Sequence, residues 1–516
     1  MDAVRSLIAH VRTPGYVRLP EESPGNGHPK SQRRECAASR RTSIQVLAGI
    51  FGAFVVLLGL SHRPTPPPPR TAVDELFARQ STSLEQAAAR YALRNGRPPP
   101  RNYDGWYHFA KNRGCLIDEY ERIQRDFEPF YQLARDDPAF FKRMVARGTK
   151  MAVAEDMGIK TFKVEGGKVN TTDERSSNYD GGWLAMLQNA SAILPDMNLV
   201  INHRDEPRVA FDVHIPHAQV GALNASDAVP FRHTPRPTST YYTDEGHCLV
   251  SSAPTGFMAY ANDASAFLLY SASADFTTDL YPVLSQSKVS PCFADILFPS
   301  EFHYARSASS AKYAFADNVP WDAKKPALYW RGQATGGWIR GSNYRKFARF
   351  RLLDIARMRP ALFDVVISAL YEWFCQEECD ADAIKAEYNI TGAATPREAG
   401  YGYKYVLDVD GNAFSGRYLG LLRSGSLVFK STVFTEYFDD WLRPFEHYIP
   451  VRPDLSDLVE RIEWAKAHDG EARRIQAAGM DVATRVLTDA QNDCYWAAVL
   501  LEWGRLQALA GVAPEQ

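Results

Sequence analysis

Three stretches in the second half of the chain share one grammar: an apolar run, a polar break that in two of them contains glycine, then a helical pattern. "PALYWRGQATGG" leads into "SNYRKFARFRLLDIARMRP", "KYVLDVDG" leads into "SGRYLGLLRSG", and "SLVFK" leads into "EYFDDWLRPF". Short, nearly continuous apolar runs fit strands buried on both faces. Strands separated by helices cannot close tight hairpins, so they pair in parallel under a cover of helices. In the first half, "NLVINHRDEPRVAF" contains one more short strand, residues 199–201, that breaks into a polar loop. Residues 82–147 and 456–508 read mostly as helix; "STSLEQAAARYALRNG" opens on a serine cap and stops at Gly96. At 516 residues the chain exceeds one ordinary core. The fold class expected is α/β, as two parallel units facing a cleft.

Charge narrows the partners. The 59 basic residues nearly balance 61 acidic ones, a net charge of −2, so no overall field draws the chain to nucleic acid. Any polyanion must be gripped locally. The N-terminus differs from the rest. Residues 1–43 carry eight Arg/Lys and four Asp/Glu among scattered Pro and Gly, the composition of a disordered tail. Residues 44–60 then form a run of 17 with only Gln45 polar, which as a helix spans roughly 26 Å, enough for a thin bilayer crossing. A cleaved signal peptide starts nearer residue 1, and a buried core helix is not flanked by disordered polar segments on both sides. The run exits into "SHRPTPPPPR", a stiff extended stem.

Arg33, Arg34, Arg40 and Arg41 precede the apolar run and only Arg63 and Arg70 follow it closely, which keeps the tail cytoplasmic and sends the remainder across the membrane. Four glycosylation triplets, at Asn170, Asn189, Asn224 and Asn389, lie beyond the run and none before it. Six of seven cysteines (Cys115, Cys248, Cys292, Cys375, Cys379, Cys494) lie there too, allowing three disulfides of unspecified connectivity in an oxidising lumen. Cys375 and Cys379 lack a matching His/Cys pair, so no zinc site is read. The expectation is a single-pass type II protein of the Golgi or endoplasmic reticulum membrane.

Strand ends that open onto glycine-containing loops and helix N-termini are where α/β proteins bind phosphates. Two of them here present an arginine able to pair with phosphate: Arg331 in "YWRGQATGG" and Arg417 in "GNAFSGR". The bland alternative is a solvated surface arginine. Asp205, in the loop after the first-half strand and beside His203, Arg204 and Arg208, is the candidate general base; the competing reading is a salt-bridged loop aspartate. His203-Arg204-Asp205 also spells a kinase catalytic triplet. Ala210 stands where the metal-binding Asn is needed, and no Asp-Phe-Gly follows, so that reading fails. Asp408-x-Asp410 has the spacing of a metal and diphosphate grip, and equally that of a buried strand running into a turn.

From about Tyr91 to Trp503 the chain resembles glycosyltransferase family 90, which holds the fungal capsule-associated proteins and the Rumi-type protein O-glucosyltransferases. The resemblance rests on "RPPPRNYDGWYHFA", "LPDMNLVINHRDEPRV", "DILFP", "YWRGQATGG", "KYVLDVDGNAFSGRYLGLLRSGSLVFK" and "LRPFEHYIPVRPDLSDLVERIEWAKAHD", in family order, with a fungal flavour in the opening motif and in "DEPR". It implies a GT-B-like fold of two Rossmann-like domains, and an inverting transferase moving xylose or glucose from UDP-xylose or UDP-glucose to a glycan or glycoprotein acceptor. It places the catalytic aspartate on Asp205 and the diphosphate contacts on Arg331, with Gly332 beside it, and on Arg417, with Ser415 ahead of it. Glu436 falls where many GT-B enzymes hold the ribose. Phe298-Pro299 matches a motif near the nucleotide.

With two arginines for the diphosphate, a metal ion is redundant, and Asp408 and Asp410 are read as strand-end structure. The organisation expected is a tail over residues 1–43, an anchor over 44–60, a stem over 61–80, an N-terminal helical segment and acceptor-side domain over 81–310, and a nucleotide-sugar domain with terminal helices over 311–508. A non-catalytic lumenal lectin or retention protein on the same fold is the alternative.

Overall fold

The computed structural model describes residues 71–154, 158–171, 180–209, 233–234, 276–277, 280–290, 293–305, 319–376, 378–393 and 395–512. The tail, the anchor expected over 44–60 and the stem as far as residue 70 lie outside these residues, as do Asn224, Cys248 and Cys292. Among the described residues no helix is long and apolar enough to cross a membrane. Residues 70–516 form one compact unit.

Five helices lead the unit: α1 (Ala72–Ala78), α2 (Leu84–Asn95), α3 (Tyr103–Asn112), α4 (Glu121–Asp136) and α5 (Pro138–Ala154). Helix α1 corrects the stem boundary, which was expected at residue 80. Thr71 and Asp74 cap each other's backbone, Val73 is buried, and Asp74 pairs with Arg485 at 2.7 Å. Helix α2 begins and ends on the signals its sequence carries: the Ser83 hydroxyl accepts from the Gln86 amide, and Gly96 closes the helix at φ +62°.

The first sheet has strand order β2-β1-β3-β6-β7, from β1 (Ile159–Glu165), β2 (Lys168–Asn170), β3 (Met197–Asn202), β6 (Leu284–Ser285) and β7 (Ile296–Leu297). Helix α6 (Asp180–Gln188) precedes β3, and β4 (His233–Thr234) pairs with β5 (Phe276–Thr277) as a separate antiparallel ribbon. Strands β3, β6 and β7 are parallel, but β1 is antiparallel to both β2 and β3. This half is therefore mixed where an all-parallel unit was expected. The reason is local: Gly166 and Gly167, at φ +55° and +73°, allow the two-residue turn that folds β2 back onto β1.

The second sheet is wholly parallel, ordered β12-β11-β10-β8-β9, from β8 (Lys325–Gln333), β9 (Phe363–Ala369), β10 (Tyr403–Val409), β11 (Leu427–Ser431) and β12 (Ile449–Pro450). Helices α7 (Ala348–Met358), α8 (Ala381–Tyr388) and α9 (Tyr418–Leu422) lie between the strands; α10 (Leu458–Ala467), α11 (Asp469–Arg485) and α12 (Asp489–Ala510) follow them. From β8 the chain goes one way to β9, then returns across β8 to β10. The direction of winding thus reverses between β8 and β10, where open α/β sheets gather ligands. The helix expected over "EYFDDWLRPF" is only a 3-10 turn, Asp439–Trp441.

Strand alternation sends side chains to two cores. Tyr405, Leu407 and Val409 of β10 join Leu328, Leu427, Phe429 and the faces of α7, α8 and α10. Val406 and Val428 face the other way, into a larger core with α3, α4, the first sheet and α12. Helix α12 is buried nearly all round and lies in that first core although it follows the second sheet in sequence. Its Cys494 is bonded to Cys115, and its Trp503 indole donates to the Asn198 carbonyl at 2.8 Å. Cys375 and Cys379 form a second disulfide. Helix α11 passes so close to the 447–448 turn that a Cβ on Gly479 would stand 2.3 Å from the His447 carbonyl oxygen. Gly479→Ala is therefore expected to lower unfolding free energy by about 1–3 kcal/mol, read as a shifted denaturant midpoint; an unchanged midpoint would contradict this packing.

Candidate functional site

The carboxyl ends of β8 and β10 open onto a cavity of about 600 Å³. Arg331, Gly332 and Gln333 line it from β8; Phe414, Ser415, Gly416 and Arg417 line it from the loop between β10 and α9. Four arginines stand in the lining (Arg331, Arg349, Arg397 and Arg417), and the lining includes no carboxylate. Tyr329, Trp330, Tyr401 and Phe302 add aromatic surface. Such a cavity has a strongly positive interior and flat apolar walls, which suits an anion attached to a planar group.

The loop after β10 approaches its neighbours closely. A Cβ on Gly411 would lie 2.9 Å from Arg349 Nη2 and from Thr335 Oγ1, and one on Gly416 would lie 2.7 Å from Phe302 Cγ. The guanidinium of Arg417 donates through Nη1 to the Arg331 carbonyl at 2.6 Å and lies 5.4 Å from the Trp330 ring centre. Its Nη2 is buried with no hydrogen-bond partner, and the buried Ser415 hydroxyl stands beside the Asp408 carboxyl, whose ionised form it favours. A buried donor left unused is costly and calls for a partner. An anion in the cavity supplies one.

Arg331 stands in the same lining but is already engaged. Its Nη2 pairs with Asp364 Oδ1 at 2.5 Å, and Nη1 donates to the carbonyls of Asp364 and Trp330. Arg349 was missed by sequence reading. It sits on the buried face of α7 and donates to the carbonyls of Asp410 at 2.9 Å and Gln333 at 2.8 Å, so it ties the two strand ends together. A charged residue on the apolar face of "SNYRKFARFRLLD" was the available signal. Arg397 follows Pro396 in an irregular stretch and has no sequence signal.

Glu436 requires a correction. It was expected at the ribose, yet it is fully buried and does not line the cavity. Both oxygens are taken, by His303 Nε2 at 2.9 Å and Lys430 Nζ at 3.2 Å. Burial works against its ionisation, but the Lys430 ammonium and His303 outweigh it and hold its pKa below the usual carboxylate value.

Asp408 and Asp410 belong to the same buried layer. Asp408 is on β10 and lies directly beside Lys430 of β11 with Nζ–Oδ2 at 3.3 Å; Asp410 is the buried residue just past the strand's end. Asp410 accepts from the Val433 amide at 2.8 Å. Neither lines the cavity, and no cluster of three metal-ligating side chains occurs among the described residues. Burial raises the pKa of both, that of Asp410 to about 7.

Asp205 is placed by the other sheet. Its loop leaves the carboxyl end of β3, the same end of the sheet from which the loop after β7 sends Phe302 into the cavity. Asn202, fully buried, organises the turn: its carbonyl oxygen accepts from the Arg204 amide at 2.9 Å and its amide donates to the Glu206 carbonyl at 2.7 Å. Asp295 holds the far side by accepting from the Arg208 and Val209 amides at 2.8 and 2.9 Å. Asp205 is half-buried and does not line the cavity. The structure thus brings Arg331, Gly332, Ser415 and Arg417 together, sets Asp205 in the loop after β3 of the first sheet, and removes Glu436 to the interior.

Residues 277–516 match the model of glycosyl transferase family 90. The segment contains β6, β7 and the whole second sheet; Asp205 precedes it. The chain is 33 % identical over 179 residues to protein O-glucosyltransferase 2 of Danio rerio, covering 34 % of each chain. It is 31 % identical over 180 residues to protein O-glucosyltransferase 3 of Homo sapiens, covering 35 % of this chain and 34 % of that one. An uncharacterised protein of Frog virus 3 is 34 % identical over 236 residues, 40 % of this chain and 24 % of its own. The chain therefore spans about a third or less of the length of these curated relatives.

The raised pKa of Asp410 fixes the sign of one pH effect. Between the unfolded value near 4 and the folded value of about 7, the folded state binds the extra proton, so unfolding free energy falls as pH rises through this window. Asp410→Asn removes that dependence. Its stability relative to wild type is expected to improve by at least about 1 kcal/mol between pH 5 and pH 8 in denaturant titrations, and a pH-independent difference would refute the assignment.

Proposed function

We propose that the chain is an inverting glycosyltransferase that moves xylose or glucose from a UDP-sugar to a hydroxyl of a glycan or glycoprotein. The observation that carries this reading is the arginine-lined cavity at the winding reversal of the second sheet, with the buried, unpartnered Nη2 of Arg417, inside the segment that matches family 90. A nucleoside diphosphate matches it in both parts: phosphates for the guanidinium groups and a flat ring for the aromatic walls. In this reading the two sheets are the two halves of a GT-B arrangement, with the donor held by the second and the acceptor presented across the gap.

The reaction is a direct displacement. Asp205 accepts the proton of the acceptor hydroxyl as that oxygen bonds to the anomeric carbon, and the bond from that carbon to the UDP oxygen breaks. The negative charge left on the diphosphate is met chiefly by Arg417, whose Nη2 has no other partner, with Ser415 beside it in the lining. Arg331, paired with Asp364, acts mainly by fixing Arg417 through its carbonyl oxygen. No metal ion is required for this charge. The protein is placed in the Golgi or endoplasmic reticulum membrane, anchored through residues 44–60 with residues 70–516 in the lumen. Glucosyl transfer draws support from the names of the relatives, and xylosyl transfer from the fungal character of the opening motifs.

Arg417→Ala is expected to weaken UDP binding about ten-fold or more, as loss of a charged hydrogen bond does, and Arg331→Ala by less. Calorimetric titration with UDP checks both; equal losses would move the main contact. Asp205→Asn should keep UDP affinity and reduce turnover about 100-fold or more, measured as UDP release from a panel of UDP-sugars with and without EDTA. UDP binding with no release on any acceptor would favour a lectin on the same fold. Full turnover in the variant would remove Asp205 from the mechanism.

A further inference from the structure

Just past the carboxyl end of β9, the chain displays an aromatic pair that the cavity does not use. Trp373 is 60 % exposed, the largest aromatic surface left open among the described residues. Its ring stacks on that of Tyr371 at 4.2 Å with only 7° between the planes, so Tyr371 backs one side of the indole and the open apolar face is the other side of Trp373. Exposed tryptophan costs solvation free energy and is commonest where a ligand covers it.

The face is held rigid. The next residue, Phe374, is buried; its carbonyl accepts from the Ile339 amide at 2.7 Å, and the Gln376 amide donates to the Ile339 carbonyl at 2.9 Å. The Gln376 side chain donates to the Trp373 carbonyl at 2.8 Å, and the Cys375–Cys379 disulfide closes the loop. A mobile surface side chain needs none of this support. Binding faces do, because a preordered platform loses little entropy on occupation.

Its location joins it to the cavity. Gln333, at the end of β8, lines the cavity and donates through its side-chain amide to the Tyr371 hydroxyl at 3.0 Å. Ser368 of β9 lines the cavity as well. The surroundings differ in charge from the cavity. Glu372 and Asp382 are largely exposed and share the Lys385 ammonium at 3.5 and 3.3 Å, and with Glu378 and Asp380 exposed beside them these acids outnumber that cation four to one. That rim repels phosphates, anionic lipid surfaces and nucleic acid. An uncharged ligand with one apolar face and hydroxyls around its edge fits both features. A pyranose ring is such a ligand: its axial C–H bonds lie on an aromatic face, and its equatorial hydroxyls donate to carboxylates and exchange hydrogen bonds with side-chain amides.

We propose that Trp373, backed by Tyr371, forms a stacking platform for a neutral sugar ring of the acceptor glycan, beside the donor cavity. The acceptor role rests on the glycosyltransferase reading; the sugar-binding face does not. It extends that reading by assigning part of acceptor recognition to the donor-side sheet.

The test uses the full-length protein, wild type and the variants Trp373→Ala and Trp373→Phe, with a panel of neutral gluco-, xylo- and manno-oligosaccharides and, separately, UDP. The expected result is oligosaccharide binding by wild type that weakens about ten-fold or more in Trp373→Ala and much less in Trp373→Phe, with UDP affinity unchanged in both. Unchanged UDP affinity also certifies that the variants are folded. No oligosaccharide binding by wild type, or binding indifferent to Trp373→Ala, would overturn the platform. So would a loss confined to UDP, which would make the face a base-stacking site. Oligosaccharide binding through Trp373 in a protein that binds no UDP would leave the platform standing and sink the transferase reading instead.

Discussion

The ammonium of Lys430 is buried between the two sheets, and a buried cation survives only if anions come to it. Burial opposes its charge, yet Glu436 and Asp408 keep it protonated. These partners bring separate stretches of chain together. Asp408 is its lateral neighbour across β10 and β11, Glu436 comes from the segment after β11, and His303 reaches Glu436 from the loop after β7 of the first sheet. The adjacent backbone repeats the connection: Lys288 and Thr435 exchange hydrogen bonds of 3.1 and 2.7 Å. The joint between the sheets is thus charged and hydrogen-bonded as well as apolar. Its geometry fixes how Phe302 meets Gly416, and with it one wall of the cavity.

This joint also sorts charge by depth. Carboxylates occupy the buried layer at the end of β10, where Lys430 absorbs negative charge and burial pushes the pKa of Asp408 and Asp410 upward. Arginines occupy the cavity at the strand ends, and the lining there includes no carboxylate. Asp364, on the neighbouring strand, pairs with Arg331, while Arg417 keeps an unpartnered N–H. A diphosphate entering this space meets preset N–H groups in a poorly solvated setting, where electrostatic interactions are strongest. The loop carrying Asp205, on the first sheet, is shaped by neutral hydrogen bonds through Asn202 and by the buried Asp295. In the proposed reaction, leaving-group stabilisation and proton acceptance fall to different sheets.

Much of the second sheet could be read directly. β8, β10 and β11 each contain one of the apolar runs, with Arg331 near the end of β8 and Arg417 in the loop after β10. β9, "FDVVISA", escaped notice because polar residues interrupt it, and β12 because two residues carry no periodicity. In the first half the parallel expectation failed at β1 and β2, where a glycine pair turned the chain by a local rule stronger than the general one. Among candidate site residues, those next to a strand end on the same sheet were found where the motifs placed them. Glu436 was displaced, because position along the chain cannot tell an exposed carboxylate from one captured by a lysine six residues away.

What the sequence alone determined is what depends on neighbours along the chain: which segments are strands and helices, where they are capped, and which residues stand where a strand gives way to a loop. Tertiary structure alone decided which charges face a ligand and which face each other. Arg349 and Arg397 joined the cavity, Asp408 and Glu436 turned inward to Lys430, and α12 crossed back into the first core. The physical reason is range. Backbone preferences act over a few residues, whereas the cost of a buried charge is settled by whatever side chain the fold brings within about 4 Å, however distant in sequence.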